Sequence, residues 1–220
     1  MALAKVSEPT LLSPCPTKDV MQQPNPPPCL TLTVPPQTLT GFASLLQHGI
    51  LFPVDRPVAM VPFLLSLPGF TTEYIEKTVQ TIFVDGVAAD SLDRELAAGA
   101  TLALSAAMPG LAGAIFRRQG MHGSLRSRPT VNKEPARATS GFITLKLFNS
   151  IATDRVRDLL SRGVLVTGKA CHDFAAMREG LFQPPTTATV DGQVVDYGAL
   201  LRAVAGCPVV AVQAHLVPER

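Results

Sequence analysis

Residues 79–116 read VQTIFVDGVAADSLDRELAAGATLALSAAMPGLAGAIF and carry the pattern around which the chain is organised. Residues 81–84 (TIFV) are β-branched or aromatic, which favours a strand, and Asp85-Gly86 follows at once. Asp-Gly is a strong turn dipeptide, because glycine accepts a positive φ without steric cost and aspartate tolerates it. Residues 101–105 predict a second strand, and Pro109-Gly110 ends it because proline cannot donate to a sheet ladder.

Residues 96–116 carry no charge, and a stretch of about 20 apolar residues can cross a bilayer as a helix. Glycine, proline, serine and threonine recur in this stretch and large aliphatic residues are few, which favours a buried strand followed by an exit loop. The first residues of the chain lack a continuous apolar run, so no signal peptide is predicted. We therefore predict a cytoplasmic protein without membrane association.

The composition excludes several classes of function. The chain has 220 residues, 46% of them hydrophobic, and a net charge of only +2, so no overall field attracts nucleic acid or anionic lipid. No C-x-x-C pair occurs and the histidines are scattered, so we predict no zinc site and no cofactor. The cysteines are Cys15, Cys29, Cys171 and Cys207.

Two segments of unusual composition divide the chain. Residues 1–28 contain seven prolines and predict a disordered arm, and residues 117–141 contain six arginines or lysines against one acid and predict a basic linker. The predicted domains are therefore residues 29–116 and residues 142–220.

The second domain repeats the pattern of the first. LLQHGILFPV at 45–54 aligns with LLSRGVLVTG at 159–168, and TIFVDG at 81–86 aligns with TATVDG at 187–192. Gly206 precedes a strand at 209–212 as Gly99 precedes the strand at 101–105. Matching order across a whole segment indicates an internal duplication.

Local signals predict the other elements. Residues 30–34, 50–52 and 143–148 predict strands, the second ended by Pro53. Thr38 and Thr153 are predicted to cap helices that Gly49 and Gly163 end. A short helix is predicted at 60–67 and another at 172–179, and Thr71 is predicted to cap a further helical turn.

The first copy resembles the ubiquitin-like β-grasp sulfur carriers, which include the small subunit of molybdopterin synthase and the thiamine-pathway carrier. The counterparts of that family's motifs lie at 64–69 (LLSLPG), 83–86 (FVDG), 92–93 (LD), Gly99 and 102–104 (LAL). The resemblance implies an α+β fold with mixed sheets and, given the duplication, two tandem β-grasp-like domains.

The sequence departs from this family at the functional end of the carriers. Sulfur carriers end in Gly-Gly, whereas this chain reads AAMPGLAG at 106–113 and continues to VPER at 217–220. The resemblance therefore implies the fold and a protein-binding sheet face rather than sulfur carriage. A carrier activated by processing near Gly110 and Gly113 is kept as an alternative.

The leading prediction is a non-catalytic docking protein that binds a protein partner through a sheet face and the exit segment after residue 105. The residues predicted to bind the partner are Met108, Pro109, Gly110, Leu111, Gly113, Arg117 and Arg118. An RNA-contacting module that uses the basic linker is the alternative from another class, and its binding should weaken steeply as salt rises.

The sequence gives less support to a catalytic or a metal-binding function than to docking. Cys171-His172-Asp173 contains a nucleophile, a base and an orienting acid, but consecutive residues on a helix point in different directions. Cys207 is interpreted as a small buried residue. Repeat-related aspartates at 85, 90, 191 and 196 are interpreted as turn formers. The chain is therefore predicted not to be an enzyme.

Overall fold

A computed structural model describes residues 26–108, 110–118, 120 and 140–217. The strands are β1 (Cys29–Val34), β2 (Ile50–Val54), β3 (Val58–Ala59), β4 (Thr81–Val84), β5 (Val87–Ala88), β6 (Glu95–Leu96), β7 (Thr101–Ser105), β8 (Gly141–Phe148), β9 (Val164–Thr167), β10 (Thr187–Val190), β11 (Gln193–Val195) and β12 (Val209–Leu216). The α-helices are α1 (Pro36–Leu39), α2 (Ala43–His48), α3 (Met60–Leu65), α4 (Thr72–Lys77), α5 (Gly110–Phe116), α6 (Ser150–Arg162), α7 (Gly168–Met177) and α8 (Tyr197–Val204). Short 3₁₀ turns lie at Thr40–Phe42 and Glu179–Phe182.

Ten of the strands form one mixed sheet, in the order β11-β10-β1-β12-β9-β2-β8-β7-β4-β5, while β3 and β6 pair separately. The pairs β1/β12 and β7/β8 are parallel and the other pairs are antiparallel. The mixed α/β architecture with a mixed sheet and several helices is confirmed.

Two tandem β-grasp domains are not confirmed. Tandem domains would each build a sheet from their own strands, but β1 lies between β10 and β12, and β8 lies between β2 and β7. Strands from residues 29–116 and from residues 142–220 thus interleave in one sheet. The predicted arm lies outside the described residues except for 26–28, and most of the predicted linker lies outside them as well.

The two Asp-Gly turns predicted from the repeat are confirmed. Both residues of each turn have a positive φ, 53° and 78° in the first turn and 50° and 81° in the second. Asp85 exchanges two hydrogen bonds with Thr101: its backbone N–H donates to the Thr101 carbonyl at 2.8 Å, and its Oδ1 accepts from the Thr101 N–H at 2.7 Å. Asp191 makes the same two bonds with Cys29, at 2.9 and 2.8 Å.

These matching bonds show which strands are equivalent in space. Thr101 opens β7, and Cys29 opens β1, so β1 takes beside β10 the place that β7 takes beside β4. The sequence alignment instead matched β7 with β12. The alignment misplaced this strand because a sheet position can be filled by any segment that reaches it, including one from the far end of the chain.

Asp191→Ala is expected to lower the free energy of unfolding by about 2 kcal/mol, because alanine disfavours the left-handed conformation and leaves the Cys29 N–H without its carboxylate acceptor. Urea unfolding followed by circular dichroism measures the change. Asp191→Asn is the matched control, since asparagine keeps an acceptor oxygen and tolerates a positive φ. Equal losses in both variants would contradict this role of the carboxylate.

The core lies between the sheet and a layer that contains α2, α6, α7 and α8. Alternate residues of β1 are buried toward this layer, as the pattern of the first strand predicts. Phe42 is fully buried, and its ring centroid lies 5.6 Å from the centroids of both Phe174 and Phe182. The predicted helix ends are confirmed at Gly49 and Gly163, which have φ values of 118° and 91°.

Three local predictions are wrong. Thr38 lies inside α1, which begins at Pro36, because the fixed φ of proline suits a first helical position. Thr153 lies inside α6, where its hydroxyl donates to the carbonyl of Ser150 at 2.9 Å. Pro53 lies within β2; β9 pairs with β2 at Leu51 only, so Pro53 has a neighbouring strand on one side and its missing donor costs no ladder bond.

Candidate functional site

The exit segment after β7 forms a helix rather than the predicted loop, and this helix lies on the face of the sheet opposite the main helix layer. Ile82 and Val84 of β4 are buried in the core, so Phe83 between them points to the other face. The ring of Phe116, at the end of α5, packs there with its centroid 5.3 Å from that of Phe83. The helix α5 therefore stands on the face that the other helices leave uncovered.

Three of the predicted partner-binding residues, Gly110, Leu111 and Gly113, lie on α5, and Arg117 and Arg118 follow directly after it. Leu111 is 71% exposed, whereas Gly113 is buried, and a Cβ at Gly113 would overlap the carbonyl oxygen of Met108. Gly110 is exposed at the start of the helix, and Arg117 is exposed directly after its end. Pro109 lies outside the described residues.

Arg118 connects the exit segment to the sheet. Its backbone N–H donates to the carbonyl of Gln80 at 2.7 Å, just before β4. The Nε and Nη1 atoms of its guanidinium are buried and have no hydrogen-bond partner among the described residues. Burial of a charged donor without a partner is costly, so this guanidinium favours an anionic group nearby.

The side of the sheet that carries α5 is here called the open face. The cross-strand register places threonine pairs on it, Thr31 with Thr189 and Thr33 with Thr187. Its other strand residues include His215, Leu165, Leu51, Thr144, Lys146, Phe142, Ala103, Phe83 and Val194. Among the described strands, no residue on this face is acidic.

Access to the open face is uneven. Leu165 and Ala211, near the middle, are buried, whereas Thr187 and His215 toward one end are exposed. Val194 on the edge strand β11 is 81% exposed. The face thus combines uncharged hydroxyl groups with accessible apolar side chains, a composition that suits contact with another protein surface.

The Cys171-His172-Asp173 run does not form a relay. Cys171 is only 2% exposed, and burial raises the pKa of its thiol to about 12, so little thiolate forms at neutral pH. Asp173 bonds to Lys169, one helical turn away, and this bond holds the pKa of the carboxyl below its usual range. The Asp173 carboxylate therefore forms an exposed ion pair with Lys169 on α7.

Cys207, interpreted from the sequence as buried, is instead half-buried and lines a cleft of about 260 Å³. Lys169 and His172 of α7 line the same cleft, together with Ala205 and Gly206. The thiol of Cys207 donates to the carbonyl of Ala203 at 3.2 Å. Sequence reasoning missed this cleft because α7 and the segment before β12 meet only through tertiary packing.

Three of the four repeat-related aspartates bond to the backbone. Asp85 and Asp191 hold strand starts, as described above, and Asp196 caps α8 by accepting from the N–H of Ala199 at 2.7 Å. Within residues 26–108, 110–118, 120 and 140–217, no group of three or more histidine, cysteine or acidic residues is arranged to hold a metal ion. The part of the chain that the structure describes also holds no helix long and apolar enough to cross a membrane.

Comparison of the chain with protein-family models, curated proteins and solved structures found no match. The resemblance to the β-grasp sulfur carriers therefore stays a prediction.

Proposed function

We propose that this protein is a non-catalytic docking protein that binds a protein partner on the open face of its sheet. The observation that carries the proposal is the position of α5: the segment predicted to contact a partner stands on the face that the main helix layer leaves uncovered. Leu111 of that segment is an apolar side chain that is 71% exposed.

The chemistry of the open face specifies the kind of partner. Hydroxyl and apolar groups without carboxylates favour an uncharged or mildly acidic protein surface, because such a surface meets no like charge on this face. Lys146 provides a positive charge within the face.

The experiment is affinity purification from native extract with the full chain as bait, followed by quantitative mass spectrometry. Leu111→Glu and Val194→Glu place a carboxylate at two exposed positions of the open face. Met177→Glu is the matched control, since Met177 is 66% exposed but lies on α7 in the opposite layer. All three sites are exposed, so the variants should fold normally.

We expect each open-face variant to reduce recovery of the same partner at least tenfold, because a carboxylate desolvated in an apolar contact costs more than about 1.4 kcal/mol. The control should recover that partner at the level of the unmodified bait. A partner lost equally from all three variants, or a bait that recovers only itself at low and moderate salt, would overturn the proposal.

The RNA-binding alternative depends on residues outside the described ranges, among them Arg126, Arg128, Lys133 and Arg137. The same purification tests it: capture that nuclease treatment abolishes and that falls steeply with salt would favour RNA over a protein partner.

A further inference from the structure

Cys171 and Cys207 belong to one contact between α7 and the segment that leads into β12. Gly168 opens α7, and a Cβ at this position would overlap the carbonyl oxygen of Cys207. Cys171 follows Gly168 by three residues, so it lies on the same side of the helix, one turn further along. Cys171 belongs to the core, and Cys207 packs against that core.

The two thiols differ in their access to solvent. Cys207 lines the cleft and can be approached from outside, whereas Cys171 is buried in the core. Lys169 and His172, which line the cleft beside Cys207, lie on α7 with Cys171, so the helix that holds the buried thiol also forms a wall of the cleft. An accessible, half-buried thiol and a buried thiol on the adjacent helix can undergo thiol–disulfide exchange in two successive steps.

We propose that Cys207 is a site of thiol–disulfide exchange with a small-molecule disulfide such as glutathione disulfide, and that Cys171 is the resolving thiol. Such a disulfide enters the cleft, and the Cys207 thiolate attacks one of its sulfur atoms. The first glutathione leaves as a thiolate and takes up the proton that Cys207 released. Cys207 is then joined to the second glutathione in a mixed disulfide.

Cys171 completes the reaction from the buried side. Its sulfur attacks the Sγ of Cys207, a Cys171–Cys207 disulfide forms, and the second glutathione leaves with the proton of Cys171. The protein is oxidised by two electrons and one glutathione disulfide is reduced to two glutathiones. The disulfide would join α7 covalently to the segment before β12.

The order of the two steps follows from burial. Glutathione disulfide cannot reach Cys171 directly, since that side chain has almost no accessible surface. Its raised pKa also leaves little thiolate at neutral pH. Proximity to the mixed disulfide compensates for this, because two groups held together react with a high effective concentration.

The test is incubation of the folded full chain in glutathione buffers that range from reducing to oxidising, followed by acid quenching, intact mass and peptide mapping. The wild-type protein is expected to lose two hydrogens and to yield a peptide pair joined through Cys171 and Cys207. Cys171→Ala should instead retain one glutathione on Cys207. Cys207→Ser should leave Cys171 unmodified, and Cys29→Ser is the matched control that should behave as wild type.

Circular dichroism before incubation establishes that each variant is folded, and Cys171→Ser replaces Cys171→Ala if the alanine variant is not. Glutathione on Cys171 in the Cys207→Ser variant would overturn the assigned order. Absence of the internal disulfide from the wild type, together with an unmodified Cys207 in the Cys171 variant under oxidising buffer, would overturn the proposal altogether.

Discussion

Deletion of residues 29–34 is expected to unfold the protein, because these residues form β1, which lies in the interior of the sheet between β10 and β12. Leu30, Leu32 and Val34 are buried on this strand. Burial of such side chains contributes about 1.5–3 kcal/mol each, and the whole protein is expected to be stable by only about 5–15 kcal/mol. Loss of β1 also leaves β10 and β12 without hydrogen-bond partners on the side that β1 occupies.

Circular dichroism and urea unfolding of the truncated chain measure this effect. A fragment of residues 140–217 is likewise expected to lack a cooperative transition, because it does not contain β1. Two single substitutions on the same strand serve as the matched pair. Leu32→Ala should cost about 2–5 kcal/mol, whereas Thr31→Ala, on the open face, should cost less than about 1 kcal/mol.

A cooperatively folded 140–217 fragment would contradict this expectation and would restore the prediction of an independent second domain. Folding of the fragment therefore distinguishes one interleaved sheet from two independent domains, two architectures with nearly the same secondary structure.

Phe42→Ala is expected to lower the free energy of unfolding by about 3–5 kcal/mol, the usual cost of removing a buried phenylalanine ring. Phe42 is fully buried, and its ring meets Phe174 of α7 and Phe182 of the following 3₁₀ turn. The substitution leaves a cavity between the N-terminal helices and the C-terminal half. A loss of this size corresponds to a fall in Tm of roughly 10 °C for a chain of this length.

Differential scanning calorimetry and urea unfolding measure the change. Met177→Ala is the control, because Met177 is exposed on the surface of α7 and its truncation should alter stability by less than about 0.5 kcal/mol. A Phe42→Ala variant as stable as this control would show that the three rings do not pack as the structure describes.

Much of the local structure could be predicted from residues close together in the chain. The TIFVDG and TATVDG segments predicted strands followed by tight turns, because β-branched residues and Asp-Gly express their preferences locally. Gly49 and Gly163 predicted helix ends for the same reason. Local predictions were wrong where a residue distant in the chain determined the structure. Pro53, for example, is tolerated within β2 because β9 does not extend beside it.

The candidate sites could likewise be predicted only in part from the sequence. The sequence identified the exit segment as a candidate site because this segment departs from the Gly-Gly end of the sulfur carriers. It did not predict that the segment forms a helix or that the helix packs against Phe83. The Cys207 cleft carried no signal in the sequence, because Cys207 and Lys169 are separated along the chain and meet only when α7 packs near the start of β12.

By itself, the sequence determined several of the strands, the Asp-Gly turns and the helix ends at Gly49 and Gly163, because backbone preferences and apolar periodicity act over a few residues. Only the tertiary structure decided which strands pair, which face α5 occupies and which thiol is accessible. Sheet pairing brings together segments distant in the chain, and β1 fits beside β10 as β7 fits beside β4 because Asp191 and Asp85 offer the same two hydrogen bonds to any strand that reaches them.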